Sequence, residues 1–307
     1  MNTKHNPNRS QTIFLHDFTQ IDCAMLYPGD GPKGQSWNVS MLCKGNLNDK
    51  GMIFDFSDAK RHAKLITKKM LDHKLIVRTS VLKQTKSKRF VACEKLDPKG
   101  DHRWFVINTY AESITSVPDQ YFSPNLLTKY LENHLAALIA AQLPSNIQSV
   151  EISLSDLSEN ENYLNYTHAL ADHAGDCQRY HGHSGLLAVN LNDAYDSRLS
   201  RKAVARIQNS LFMTELYNTC IGNSSLYEEM VTCFPQISKA EVKDYFAFIN
   251  YQGTMGEVAI WCPSDLPVWV GKKTTVENLS AHLKNCLELP SEASILLYEG
   301  IGKGAVS

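Results

Sequence analysis

The chain has 307 residues, of which 43% are hydrophobic, and its 31 basic side chains nearly balance its 32 acidic ones. This length allows two domains or one large domain. The balanced charge argues against a general nucleic-acid binder or a protein of the membrane surface, and no run of about 18 apolar residues predicts a membrane span.

The cysteines and the N-terminus bear on location. The eight Cys include no C-x-x-C pair, which favours reduced thiols and predicts a cytoplasmic protein. The polar segment Met1–Gln11 lacks the apolar stretch of a signal peptide, so we predict a short tail there.

The first half of the sequence predicts strands and helices that alternate with turns. The apolar periodicity changes from strand-like to helix-like after Ser57, which we predict to be a helix N-cap. The predicted elements, in chain order, are strands Ile13–Leu26 and Trp37–Cys43 joined by the loop Tyr27–Gly34, a strand Met52–Phe56, a helix ending near Leu71, a helix Pro124–Leu143 and a strand Ser149–Ser155. Three more strand-like runs predict a hairpin insertion: Leu75–Leu82, Arg89–Cys93 and Trp104–Thr109.

The second half repeats this order. Two strands lie on either side of a polar segment, and they are followed by predicted helices over Leu199–Leu216 and Thr275–Leu287 and a strand over Ser294–Glu299. The short polar stretch Leu157–Asn162 predicts a boundary between the halves. We therefore predict an α+β fold of two modules, residues 11–158 and 159–307, each an antiparallel sheet with helices packed on one face.

Three histidines in the second half have the pattern of a metal site. His181 and His183 are two apart in a predicted strand, so their side chains share one face. A hairpin folded about Gly175 brings His168 opposite His183 on that face. Three imidazoles with an open fourth position suit Zn²⁺. His173 is the alternative third ligand, but it lies in the loop. The His-x-His pair also has an explanation without a metal, as two half-exposed residues of a strand.

At these residues the sequence resembles the 6-pyruvoyl-tetrahydropterin synthase and 6-carboxy-tetrahydropterin synthase family, which has the tunnelling fold. The resemblance covers roughly residues 13–306, and it makes the two halves two fused tunnelling-fold modules. Its motifs are divided between them: the second half has His168, Cys177, His181-Gly182-His183, Thr275-Val276-Glu277-Asn278-Leu279 and Tyr298-Glu299, and the first has Gly51-Met52-Ile53-Phe54-Asp55-Phe56 and Leu71-Asp72-His73.

The resemblance implies a role for each matched residue. It implies a zinc site of His168, His181 and His183. It further implies a catalytic Cys177, a proton relay of Asp72 and His73, and a substrate site with Glu299, Thr275 and Glu277. Without the resemblance, Asp72 and His73 are also explained as a helix end, and Glu299 as an ordinary carboxylate at the end of a strand.

The resemblance also implies a substrate class. Cys177 precedes His181 by four positions, as in the 6-carboxy branch, so we predict a zinc-dependent lyase that removes triphosphate from 7,8-dihydroneopterin triphosphate in the 7-deazaguanine (queuosine) pathway. The alternatives are the 6-pyruvoyl activity and a zinc- and pterin-binding pseudoenzyme. The expected partners are this small molecule and further copies of the chain in a homo-oligomer, with neither nucleic acid nor membrane.

Overall fold

The computed structural model describes residues 10–96, 103–170, 173–217, 225–239 and 246–307, and for 217, 238, 239 and 246–249 the backbone alone. Residues 1–9 of the predicted tail lie outside this description. The described residues form an α+β fold, as predicted. The predicted antiparallel sheets are mixed instead: Lys74–Arg78 pairs parallel with Gln11–Tyr27, and Ser210–Thr214 pairs parallel with Tyr163–His168. None of the helices in these ranges is long and apolar enough to cross a membrane.

The strands and helices are numbered in chain order. The strands are β1 Gln11–Tyr27, β2 Gly31–Gly45, β3 Lys74–Arg78, β4 Leu82–Gln84, β5 Phe90–Lys95, β6 Trp104–Thr109, β7 Ile114–Val117, β8 Ile147–Ser155, β9 Tyr163–His168, β10 His181–Leu191, β11 Ala194–Tyr195, β12 Ser210–Thr214, β13 Phe246–Gly253, β14 Gly256–Pro263, β15 Pro267–Val270, β16 Ala293–Tyr298 and β17 Gly304–Val306. The helices are α1 Phe56–Met70, α2 Pro124–Ala140, α3 Ser197–Ile207, α4 Ser225–Cys233 and α5 Val276–Cys286.

The chain divides into two compact units, each built from separate stretches of sequence. The described residues of the first unit are residues 10–21, Trp37–Asp72 and Gln120–Asp156, and those of the second lie within Asp22–Ser36, His73–Asp119 and Leu157–Ser307. The division into tandem modules at residues 11–158 and 159–307 stays a prediction.

In the first unit, α2 packs against β8 and α1 against α2. Leu127, Leu131 and Leu135 of α2 recur every four residues and are all buried, because this spacing keeps them on one side of a helix. Strand β8 pairs antiparallel with β2. The prediction of α2 is confirmed at its first residue, Pro124.

Two predictions near α1 are wrong. The helix N-cap is Asp55 and not Ser57: the Asp55 carboxylate accepts hydrogen bonds from the backbone N–H groups of Ser57 and Asp58, at 2.8 and 3.2 Å. The predicted strand Met52–Phe56 is a series of bends, since the chain there turns into the cap and the helix begins at Phe56.

The second unit contains the sheet that positions the site. Its strand order is β15-β12-β9-β10-β16-β17, and β11 pairs with β10. Helices α3 and α5 pack against this sheet and bury side chains in its core. A separate sheet, β13-β14-β6-β5-β4, packs against α4.

Three predictions in the second unit need correction. The helix predicted over Leu199–Leu216 ends at Ile207, because Asn209 takes a left-handed backbone conformation (φ 64°) and the buried apolar run after it forms β12. The run Leu75–Leu82 is not one strand: β3 pairs parallel with β1, and β4 joins the insertion. The insertion sheet also includes β13 and β14, which the sequence analysis missed.

Candidate active site

The three histidines of the predicted metal site lie on one face of the hairpin β9–β10. His168 pairs directly with His181, and His183 pairs with Tyr166. The predicted pairing of His168 with His183 is wrong by two residues, because the 3₁₀ turn Gly175–Gln178 makes the hairpin connection asymmetric. A shift of two residues keeps every side chain on its face, so the common face is confirmed.

The ring nitrogens of these histidines converge on one point. His168 Nε2 lies 3.3 Å from His181 Nε2 and 2.9 Å from His183 Nε2. All three residues are buried, with exposures of 0%, 1% and 2% in the order His168, His181 and His183. Three ligands on zinc in a tetrahedral arrangement are separated by about 3.3 Å when each Zn–N bond is about 2.0–2.1 Å. These separations therefore suit a small cation held by all three rings.

The other ring nitrogens determine which atoms are free to bind metal. His168 Nδ1 lies 2.9 Å from the carbonyl oxygen of Thr274, and His181 Nδ1 lies 2.7 Å from that of Arg179. A carbonyl oxygen only accepts, so each Nδ1 donates a hydrogen and each Nε2 keeps its lone pair. Neighbouring lone pairs with no hydrogen between them repel, and a bound cation relieves that repulsion.

Burial keeps two of these imidazoles neutral. It holds the pKa of His168 well below the ordinary value, and the neighbouring His183 adds to the effect. Burial and the neighbouring His73 likewise lower the pKa of His181. A neutral imidazole is the form that binds metal. His168, His181 and His183 together can hold a metal ion.

His173, the alternative third ligand, is not in this cluster. It is exposed, and its Nδ1 lies 3.2 Å from the carbonyl oxygen of Ala174. It contributes instead to the wall of the adjoining cavity.

A second pair of reactive side chains lies beside the metal ligands. Cys177 Sγ is 3.4 Å from His73 Nε2, and the His73 ring centroid is 4.5 Å from that of His181. His73 has a left-handed backbone (φ 54°), an uncommon conformation for a residue other than glycine. Its N–H donates to the carbonyl oxygen of Asp22 at 2.6 Å, which holds the strained residue in place. The thiol and imidazole are close enough to exchange a proton.

Asp72, predicted to orient His73, belongs to the other compact unit. It is buried, and its Oδ2 lies 3.7 Å from Lys68 Nζ, one turn earlier in sequence. Its role in a proton relay stays a prediction.

A cavity of about 200 Å³ joins these groups to the predicted substrate residues. Glu299 Oε1 lies 3.9 Å from His183 Nε2. Thr275 is at the N-cap position of α5 without a side-chain capping bond, and Glu277 is in the first turn of that helix. The residues that line the cavity are His73, Leu170, His173, Cys177, His181, His183, Thr275, Val276, Glu277, Glu299 and Lys303. All of the predicted site residues except Asp72 and His168 line it.

Two charged residues beside the histidines, Asp22 and Lys303, were not predicted from the sequence. Asp22 Oδ1 lies 3.3 Å from His183 Nδ1, and Asp22 Oδ2 lies 3.4 Å from Lys303 Nζ. Burial acts to raise the pKa of the Asp22 carboxyl, but attraction to His183, Lys303 and the Ser36 hydroxyl outweighs burial and lowers it well below its usual range. The available signal for Asp22 was a charged residue among the otherwise apolar residues 21–26 of the predicted strand.

No protein-family model matches this chain, and no curated protein matches it significantly. Among solved structures, the chain is similar to 6-pyruvoyl tetrahydropterin synthase from Plasmodium vivax, with 20% identity and a TM-score of 0.37. It is also similar to 6-pyruvoyl tetrahydropterin synthase from Plasmodium falciparum, with 25% identity and a TM-score of 0.36. Each similarity covers 48% of this chain and 92% of the other.

Proposed function

We propose that this protein is a zinc-dependent lyase of the tetrahydropterin synthase type, acting on 7,8-dihydroneopterin triphosphate with loss of triphosphate. One observation carries the proposal: His181 and His183, two of the three converging histidines, line the same cavity as the Cys177–His73 pair. The sequence resemblance stated above supplies the substrate class.

His168, His181 and His183 would hold the zinc ion through their Nε2 atoms. Bound zinc supplies Lewis acidity, which polarises an oxygen of the substrate side chain. With only three protein ligands, the zinc ion would still be able to bind the substrate, as in other three-histidine catalytic sites.

Cys177 is the proposed base for a carbon-bound proton. A thiolate forms more readily beside an imidazole that takes its proton, and His73 Nε2 is 3.4 Å from the sulfur. His73 then holds that proton and returns it to the substrate. Asp72 is proposed to assist His73, as the resemblance implies.

Glu299 is the proposed anchor for the pterin ring. A carboxylate accepts two parallel N–H bonds, which matches the 2-amino group and the adjacent ring N–H of a pterin. Thr275 and Glu277 border the same cavity and would contact the substrate.

The 6-carboxy branch is favoured by the four-residue separation between Cys177 and His181. The test is to incubate the zinc-loaded protein with 7,8-dihydroneopterin triphosphate and identify the pterin product by mass spectrometry. A 6-carboxy-tetrahydropterin product supports this proposal. A 6-pyruvoyl product would replace it with the alternative branch, and pterin binding without turnover would indicate a pseudoenzyme.

We also propose that the chain, as two fused tunnelling-fold modules, assembles into a homo-oligomer. In the described part of the chain, β8 and β15 each end a sheet, and an unpaired sheet edge favours pairing with another strand. Native mass spectrometry of the full chain tests this, and a monomer at micromolar concentration would contradict it.

A further inference from the structure

One carboxylate contacts several parts of the candidate site. Asp22 lies on β1, 6% exposed, between the buried residues Ile21 and Cys23. Its Oδ1 accepts a hydrogen bond from Ser36 Oγ at 2.5 Å and lies 3.3 Å from His183 Nδ1. A buried carboxylate is costly unless it is paired, so these contacts explain how Asp22 is tolerated within the strand.

The backbone and surroundings of Asp22 restrict its position further. Its carbonyl oxygen accepts from the N–H of His73, and its Oδ2 lies near Lys303 Nζ. Gly300 has a positive φ of 80°, and a Cβ atom there would lie 2.6 Å from Asp22 Oδ1. The turn after Glu299 therefore needs glycine where it passes the carboxylate.

His183 differs from the other two ligands in the partner of its Nδ1. The Nδ1 atoms of His168 and His181 lie within hydrogen-bond distance of neutral backbone carbonyls, whereas the Nδ1 of His183 lies 3.3 Å from the carboxylate of Asp22. A carboxylate on the far nitrogen of a metal-binding imidazole fixes its tautomer and makes the other nitrogen a stronger ligand.

We infer that Asp22 is the positioning residue of the metal ligand His183: it accepts the Nδ1 hydrogen and thereby presents Nε2 to the metal. The inference rests on the metal site within the proposed function. It assigns a role in metal binding to a strand from the first half of the sequence, and Ser36 holds the carboxylate in the orientation that this role needs.

The first experiment measures zinc affinity by competition with a chelator. Asp22→Asn keeps the shape of the side chain and removes its charge, and we expect zinc to bind about 10–100-fold more weakly. Asp30→Asn is the matched control. Asp30 is an exposed residue of the β1–β2 turn, and its carboxylate pairs with Lys33. An affinity of Asp22→Asn within about twofold of the wild type overturns the inference.

The second experiment asks whether Asp22 acts through His183. In a His183→Ala background, Asp22→Asn should cause no further loss of zinc affinity, whereas in a His168→Ala background it should cost about as much as in the wild type. Equal losses in both backgrounds would mean that Asp22 has only a structural role, and this result would overturn the inference.

A spectroscopic readout separates ligand geometry from general stability. With Co²⁺ as the probe, Asp22→Asn should change the visible absorption bands and Asp30→Asn should leave them unchanged. If Asp22→Asn does not fold, Ser36→Ala is the test variant in its place. It removes the hydroxyl that orients the Asp22 carboxylate, and it should weaken zinc binding several-fold. Unchanged affinity of Ser36→Ala would then overturn the inference. Wild-type protein that binds zinc but does not turn over the pterin refutes the proposed function alone.

Discussion

The hairpins β1–β2 and β9–β10 both contribute to the candidate site, but with different chemistry. Strands β9 and β10 supply the three converging imidazoles. Strand β1 supplies Asp22 and strand β2 supplies Ser36. The neighbours of Asp22 in β1, Ile21 and Cys23, are buried in the core. One hairpin thus presents the three imidazoles, and the other places a carboxylate 3.3 Å from the Nδ1 of one of them.

The two hairpins approach each other through glycines. A Cβ atom on Gly182, the middle residue of His181-Gly182-His183, would lie 2.5 Å from the Cα atom of Gly34 and 2.6 Å from the carbonyl oxygen of Tyr166. Real Cβ atoms do not come this close, so the motif needs glycine for a steric reason. Gly182 is therefore required for close packing of the two hairpins, whereas the histidines on either side of it provide the candidate metal ligands.

The largest expected effect comes from removing a ligand of the β9–β10 hairpin. His181→Ala leaves two imidazoles, and we expect bound zinc to fall from about one per chain to nearly none after dialysis against a chelator. His16→Ala is the control, because His16 is an exposed residue of β1. Metal analysis that finds stoichiometric zinc in His181→Ala would refute the ligand assignment.

The next effect concerns the reactive pair. Cys177→Ala should lower turnover by ~10²–10⁴-fold and leave zinc content and pterin binding nearly intact, because the thiol acts on a proton. Cys286→Ala, at an exposed cysteine of α5, is the control. A decrease below about tenfold would exclude Cys177 as the base.

The pairing of Cys177 with His73 gives a sharper test of the same site. His73→Ala should be as inactive as Cys177→Ala. Because both side chains lie 3.4 Å apart in one chain, mixing the two variants should restore no activity. Recovery of activity on mixing, measured with each variant alone as the control, would mean that the working site combines residues of different chains.

A smaller effect is expected where the hairpins touch. Gly182→Ala should lower the free energy of unfolding of the zinc-free protein by about 1–3 kcal/mol, because the added methyl group overpacks the contact with Gly34. Gly271→Ala is the matched control: open space surrounds its Cβ position, so stability should stay the same or rise slightly. Urea unfolding measures both, and equal stability of the two variants would contradict the steric explanation.

The smallest effect separates folding from metal binding. Asp55→Ala removes the N-cap of α1 and should cost about 0.5–2 kcal/mol of stability. Ser57→Ala, at the position predicted from sequence, should cost less. Neither residue is among those that line the cavity, so zinc affinity should not change. A larger loss for Ser57→Ala would restore the original cap assignment.

Local patterns predicted several features correctly. The two-residue period of a strand places His181 and His183 on one face, and the four-residue recurrence of Leu127, Leu131 and Leu135 predicts α2. These features depend on covalent geometry that is the same in any fold. Competing local signals account for the misassigned N-cap, since Asp55 and Ser57 are both good capping residues.

Longer apolar runs were ambiguous. Leu211 continues the apolar spacing of Val204 and Ile207 in α3, yet it lies in β12, because strands β9 and β15 pair with β12 on its two sides. The insertion strands β13 and β14 likewise depend on pairing with β6. Such pairing joins residues far apart in sequence, and no local period encodes it.

The sequence by itself determined which residue types can bind a metal ion and that two of them share a strand face. Only the tertiary structure decided that His168 pairs with His181, that His73 lies beside Cys177, and that Asp22 directs its carboxylate to His183. The reason is physical: a side chain's type and local spacing are covalent properties, whereas its hydrogen-bond partner is selected by the packing of strands that are distant along the chain.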